Sequence, residues 1–174
     1  MKTLIQGKKL KVLLIALIVV GLAIVVYGIS AILIKNKSAN KKSSSIIEYR
    51  NSQYGFSFSL PESWKGYSIV EDKWEGSALG GGVTVEQGPI ILIRHPQWTS
   101  ANPRQDIPVM IFSLNQWGSL ELDKFHIGAA PIGPKELGRN SNYVFALPAR
   151  YNYAFPTGFE EVEQILENNP LQAF

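Results

Sequence analysis

The chain has 174 residues, 45% of them hydrophobic, which suits one globular domain with an appendage. It contains no cysteine, which excludes disulfides, thiolate zinc sites, cysteine nucleophiles and a lipoprotein-type anchor. The net charge of +3 hides an asymmetry: residues 1–45 carry eight lysines and no acid, leaving nine basic against fourteen acidic residues in 46–174, a net of −5. An acidic domain repels phosphate, so no nucleic acid is expected as a partner.

Residues 1–11 form a basic N-terminal tail. From Val12 to Ile34 the chain runs VLLIALIVVGLAIVVYGISAILI, 23 residues without a charge. At about 1.5 Å per residue this is roughly 34 Å of helix, enough to cross a hydrocarbon core of about 30 Å. The run is longer than the apolar core of a cleaved signal peptide, about 7–15 residues, and too uniformly apolar for a helix inside a small domain. An uncleaved transmembrane helix over 12–34 is therefore expected, with the lipid bilayer as its partner. Lys2, Lys8, Lys9 and Lys11 on one side are matched by Lys35, Lys37, Lys41 and Lys42 on the other. The amino terminus adds one charge to the first group, which favours a cell-membrane signal-anchor with a cytoplasmic N-terminus and the domain outside. Residues 35–45, KNKSANKKSSS, have no apolar periodicity and read as a flexible linker. The Ser38-x-x-Lys41 spacing within it matches a serine acyl-enzyme pattern by chance, since a solvated leash offers neither cleft nor helix.

In residues 46–174, Phe56, Phe58 and Leu60 alternate with Ser57 and Ser59, the pattern of a half-buried strand. Pro61 should end it, and Pro61 to Trp64 reads as a corner that swings the indole back over the sheet. Tyr67 to Glu71 is expected as a second strand and Ser77 to Gly82 as a loop. Ile90 to Ile93, bracketed by Pro89 and Pro96, and Pro108 to Leu114 are continuous apolar runs, which predict strands buried on both faces and helices to cover them. Between them Gln97 to Asp106 is a polar loop. A short helix around Asn115 to Lys124 follows, and Lys135 to Leu137 with Tyr143 to Leu147 form a strand pair whose second member Pro148 places near an edge or bulge. Thr157-Gly-Phe-Glu160 has the form of a capping box, opening a helix with Phe159, Val162, Ile165 and Leu166 on one stripe and Glu160, Glu161, Glu163 and Glu167 in water.

The residues Tyr54-Gly55-Phe56, Leu60-Pro61 and Trp64 resemble the opening of PsbP-like superfamily domains, whose type is the extrinsic photosystem II protein. The match covers the first strand and corner; beyond it only the order of elements agrees. The resemblance implies an α+β fold, an antiparallel sheet covered by helices in an α/β/α sandwich. It implies no function, because that superfamily hosts unrelated binding roles, and no functional residue of the photosystem protein can be placed on this chain.

Motifs for chemistry are absent from the sequence. His95 and His126 have no metal-ligand spacing, and His95 before Pro96 suggests capping or simple exposure. There is no G-x-S-x-G, and the glycines at 80–82 match neither a phosphate loop nor a dinucleotide fingerprint, so no cofactor is implied. Of four tryptophans, Trp64, Trp74 and Trp117 read as packing. Trp98 lies in the polar loop with Arg104 close by, which marks this pair as the candidate partner-binding residues. The expectation is a membrane-anchored, extracytoplasmic binding or assembly module without catalysis, engaging an envelope protein or glycan; the alternative is a cell-envelope hydrolase with an unrecognised site.

Overall fold

The computed structural model describes residues 46–80, 83–128 and 132–174. The expected tail, transmembrane helix and linker over residues 1–45 lie outside the described residues. Among the described residues no helix is long and apolar enough to cross a membrane.

Two antiparallel sheets make up the structure. The smaller has the order β1–β2–β9, from strands Ile47–Asn51, Phe56–Leu60 and Leu171–Ala173. The larger is a curled sheet of six strands: β3 (Ser68–Ala78), β4 (Thr84–Arg94), β5 (Ile107–Ser113), β6 (Phe125–Ile127), β7 (Lys135–Arg139) and β8 (Tyr143–Leu147). Its order is β6–β3–β4–β5–β8–β7. Among the described residues two short α-helices join the sheets, α1 (Leu114–Glu121) and α2 (Phe159–Glu167).

The α/β/α sandwich expected from the sequence is thereby corrected, because the described residues are mostly β-sheet. Burial on both faces of β5 is real: Ile107, Val109 and Ile111 belong to one core cluster, Met110 and Phe112 to another. What covers the first face is chiefly the small sheet, through Phe56, Phe58, Leu60 and Leu171, with Val162 and Ile165 of α2 beside them. The second face holds Trp74, Phe125 and Val144 under Trp117 of the eight-residue α1. A continuous apolar run reports that a strand is covered, and a sheet satisfies that requirement as well as a helix does.

The strand at Phe56–Leu60 and its corner form where expected, but it is the second strand, after a β1 the sequence did not mark, and Ser57 on its expected open face is buried. Phe56 and Phe58 are wholly buried, and Glu62–Trp64 is a single 3-10 turn that leaves Trp64 1% exposed. Gly55 has φ +78, and a Cβ there would come within 2.6 Å of the Phe174 carbonyl, so the β1–β2 turn closes on the C-terminal residue only with glycine. Strands β3 and β4 extend well beyond the predicted boundaries, to eleven residues each. Pro89 stands inside β4 opposite Lys73 instead of opening it. In the same hairpin Trp74 lies flat across Gly88, where a Cβ would meet the indole at 2.6 Å, and its Nε1 donates to the Ile111 carbonyl at 2.9 Å. Strand β8 is paired to β5 and to the edge strand β7, whose ladder shifts register between Glu136 and Gly138, so an edge and a bulge lie beside it as expected, and Pro148 falls just past its end.

The capping motifs are exchanged relative to expectation. At α1 the Ser113 hydroxyl accepts from the Gln116 N–H, and the Gln116 side chain accepts from the Ser113 N–H. At α2 the cap is Gly158, with φ +84, and Thr157 makes no capping bond. The acids of α2 also differ from the expected solvated face: Glu160 and Glu167 are exposed, whereas Glu161 and Glu163 are half-buried and hydrogen-bonded.

Candidate functional site

The loop between β4 and β5 is shaped by short-range bonds. Trp98 N–H donates to the His95 carbonyl at 3.0 Å, and Thr99 and Asn102 exchange backbone bonds, closing a tight turn. The loop then docks on the segment ahead of α2. Arg104 forms a parallel bridge with Thr157, and Gln105 N–H donates to the Thr157 carbonyl at 2.9 Å. Between the two segments lies an open cleft of about 530 Å³, lined by Gln97, Asn102, Arg104, Phe155, Pro156 and Thr157 among others.

The two sequence-predicted residues occupy this region but do not pair. Trp98 is half-buried, and the cation over its ring is Arg94, at 3.9 Å. Arg94 is itself clamped by Asp106, with Nε 3.2 Å from both carboxylate oxygens and Nη2 2.8 Å from Oδ2. That bond holds the guanidinium above its ordinary pKa. Arg104 turns instead to α2, where Nη2 lies 3.7 Å from Oε2 of Glu161. The other oxygen of Glu161 accepts from the Ser63 hydroxyl at 2.6 Å, which pins the corner after β2 to the helix. Arg104 lines the cleft wall, whereas Trp98 is not among the lining residues and adjoins one of them, Gln97, only along the chain.

His95, expected to be exposed or capping, is 4% exposed. Its ring meets Trp64 edge-on with centroids 5.0 Å apart, and Nδ1 accepts from the Gln97 N–H at 3.1 Å. Nδ1 is therefore the unprotonated nitrogen of a neutral ring. Burial, and then the Arg104 charge, lower its pKa from the ordinary value, against an opposing effect of Glu161. The Ser63 proton goes to a carboxylate rather than to this imidazole, so the serine is a structural donor.

Sequence reasoning missed the far wall of the cleft. Tyr153 and Phe155 are large exposed aromatics, 75% and 67% accessible. Phe155 is held at φ +46, an uncommon conformation for a bulky residue, with its ring edge-on to Phe159 at 5.1 Å. A signal was present: YNYAFPTGF packs four aromatic rings and three turn-forming residues, Asn152, Pro156 and Gly158, into one short segment. Among the described residues no three His, Asp or Glu side chains gather as a metal-ligand set.

Comparison with protein-family models, with curated proteins and with solved structures returns no match.

Proposed function

We propose that the chain is a non-catalytic binding module. Residues 12–34 anchor it in a bacterial membrane, the domain stands on the outer face, and the cleft of Arg104, together with Trp98, engages an envelope protein or glycan. The observation that carries this reading is the pairing of charges around the cleft: Arg94 with Asp106, and Arg104 with Glu161, which also accepts from the Ser63 hydroxyl. Such pairing ties the charged side chains of the cleft region to one another and favours a recognition surface over an acid–base site. In the same region Trp98, Tyr153 and Phe155 supply amphipathic aromatic area, suited to stacking on sugar rings or on a peptide. The lysine-rich tether would raise the local concentration of the domain near envelope partners.

The test uses the full chain in lipid nanodiscs, titrated with soluble cell-wall glycan fragments and with gently solubilised envelope proteins. Trp98→Ala and Arg104→Ala should each weaken binding by about tenfold or more, as expected of central aromatic and arginine anchors. The melting temperature should shift by only a few degrees. Undiminished binding in both variants, or an unfolded Trp98→Ala chain, would overturn the assignment. Turnover of a glycan fragment would favour the hydrolase alternative.

A further inference from the structure

A second surface lies at the outer rim of the large sheet. Lys73 faces Pro89 across the β3–β4 ladder, and a proline has no N–H to give there. The Lys73 N–H instead donates to the Asp72 carboxylate, at 2.8 Å. Lys73 is thus a non-hydrogen-bonded position of this antiparallel pair, and its backbone groups point away from β4. The register is unbroken from Ser68 to Gly76, so the same alternation turns the N–H and C=O groups of Ile69, Glu71 and Glu75 outward as well. Strand β6 satisfies only Gly76–Ala78. Among the described residues no strand pairs with the rest of that edge.

Next to this edge a groove of about 760 Å³ lies over the β3–β4 pair, with Pro89 and Ile91 of β4 in its lining and, from β3, Glu71, Asp72 and Glu75 set against a single base, Lys73. All four charged side chains are exposed. An edge with this balance repels a second copy of itself, which would bring the same excess of acid. It complements a strand that carries lysine or arginine.

We infer that the outer edge of β3 accepts an extended, basic segment of a partner protein as an added strand. Backbone bonds to residues 69–75 would supply the pairing, and the three carboxylates would select the charge. This goes beyond the aromatic cleft, and the two surfaces use different residues.

The probe is a short alternating lysine–threonine peptide, titrated into the full chain in nanodiscs. Two controls accompany it: the same peptide N-methylated at alternate residues, and a glutamate–threonine counterpart. Binding should weaken by about tenfold on N-methylation, which deletes backbone donors while keeping every charge. Lys73→Pro should weaken it similarly, since it removes the outward N–H that would pass from the Asp72 carboxylate to the added strand, and removes no β4 bond. Glu71→Gln together with Glu75→Gln should weaken it by a comparable factor. Equal binding of the methylated peptide, equal binding of the acidic peptide, or no binding of the lysine–threonine peptide would each overturn the inference. So would concentration-dependent dimerisation that occludes the edge. The methylated peptide reads the wild-type chain, so the result does not depend on Lys73→Pro folding.

Discussion

His95 shows how one side chain acquires a pH dependence from its surroundings. The corner at Glu62–Trp64 swings Trp64 against its ring, and the loop N–H of Gln97 claims Nδ1, so the neutral form is the one that fits. With the folded pKa lowered by burial and by Arg104, the unfolded chain takes up a proton near its ordinary value of about 6.5 before the folded chain does. The contribution is fully present above about pH 6.5 and is lost as the pH falls below it. Urea midpoints measured from about pH 8 to about pH 5 should hold steady above about 6.5 and decline below. His95→Asn, which keeps an acceptor for the Gln97 N–H, should remove part of the decline. An unchanged slope in that variant would assign the whole effect to the carboxylates. The same scale divides the expectation for His95, capping or exposure: the cap on the Gln97 N–H is local, whereas burial depends on Trp64, 31 residues away, of which local polarity carries no trace.

The helices make the corresponding point for elements. Thr157-Gly-Phe-Glu160 has the spacing of a capping box, yet Gly158 takes the left-handed conformation and becomes the cap itself. Arg104 Nη2 already occupies the space at 3.0 Å from where a Cβ of residue 158 would stand. The box that forms, Ser113 with Gln116, sits at the end of an apolar strand where the strand signal dominates the sequence. Ser113→Ala should therefore cost about 1 kcal/mol of unfolding free energy. Thr157→Ala should stay within about 0.5 kcal/mol, because its structural contacts are made by its backbone. Equilibrium urea unfolding of the two variants checks the order, and the reverse order would restore the sequence reading. Strands were more legible than helices here. The alternation at Phe56–Leu60 and the apolar run at Tyr143–Leu147 are local facts, whereas the lengths of β3 and β4 follow from the partner each extends along.

At the scale of the whole molecule, Asn140 joins the two sheets. Its Nδ2 faces the carbonyls of Tyr54, Gly55 and Phe174 at 2.9, 3.1 and 3.2 Å, all at the end of the small sheet. Its Oδ1 accepts from the N–H groups of Asn142 and Tyr143, closing the β7–β8 turn in the large one. Asn140→Asp keeps the second set and loses the first, and should cost about 1–3 kcal/mol by chemical denaturation. Asn140→Ala, which loses both, should cost more. An aspartate variant as stable as the wild type would show that apolar burial alone holds the layers together.

The sequence by itself determined the positions of most strands, the faces of β2 and β5 that are buried, the acidic balance of residues 46–174 and the corner at Pro61–Trp64. These follow from side-chain period, from proline's missing donor and from simple charge counting, all of which act within a few residues. Only the tertiary structure decided that a second sheet rather than a pair of helices covers the core, that Arg94 and not Arg104 stacks on Trp98, and that Glu161 ties Arg104 to Ser63. Packing and Coulomb attraction depend on distance through space, and chain separations as long as the 98 residues between Ser63 and Glu161 leave no periodic mark in the sequence.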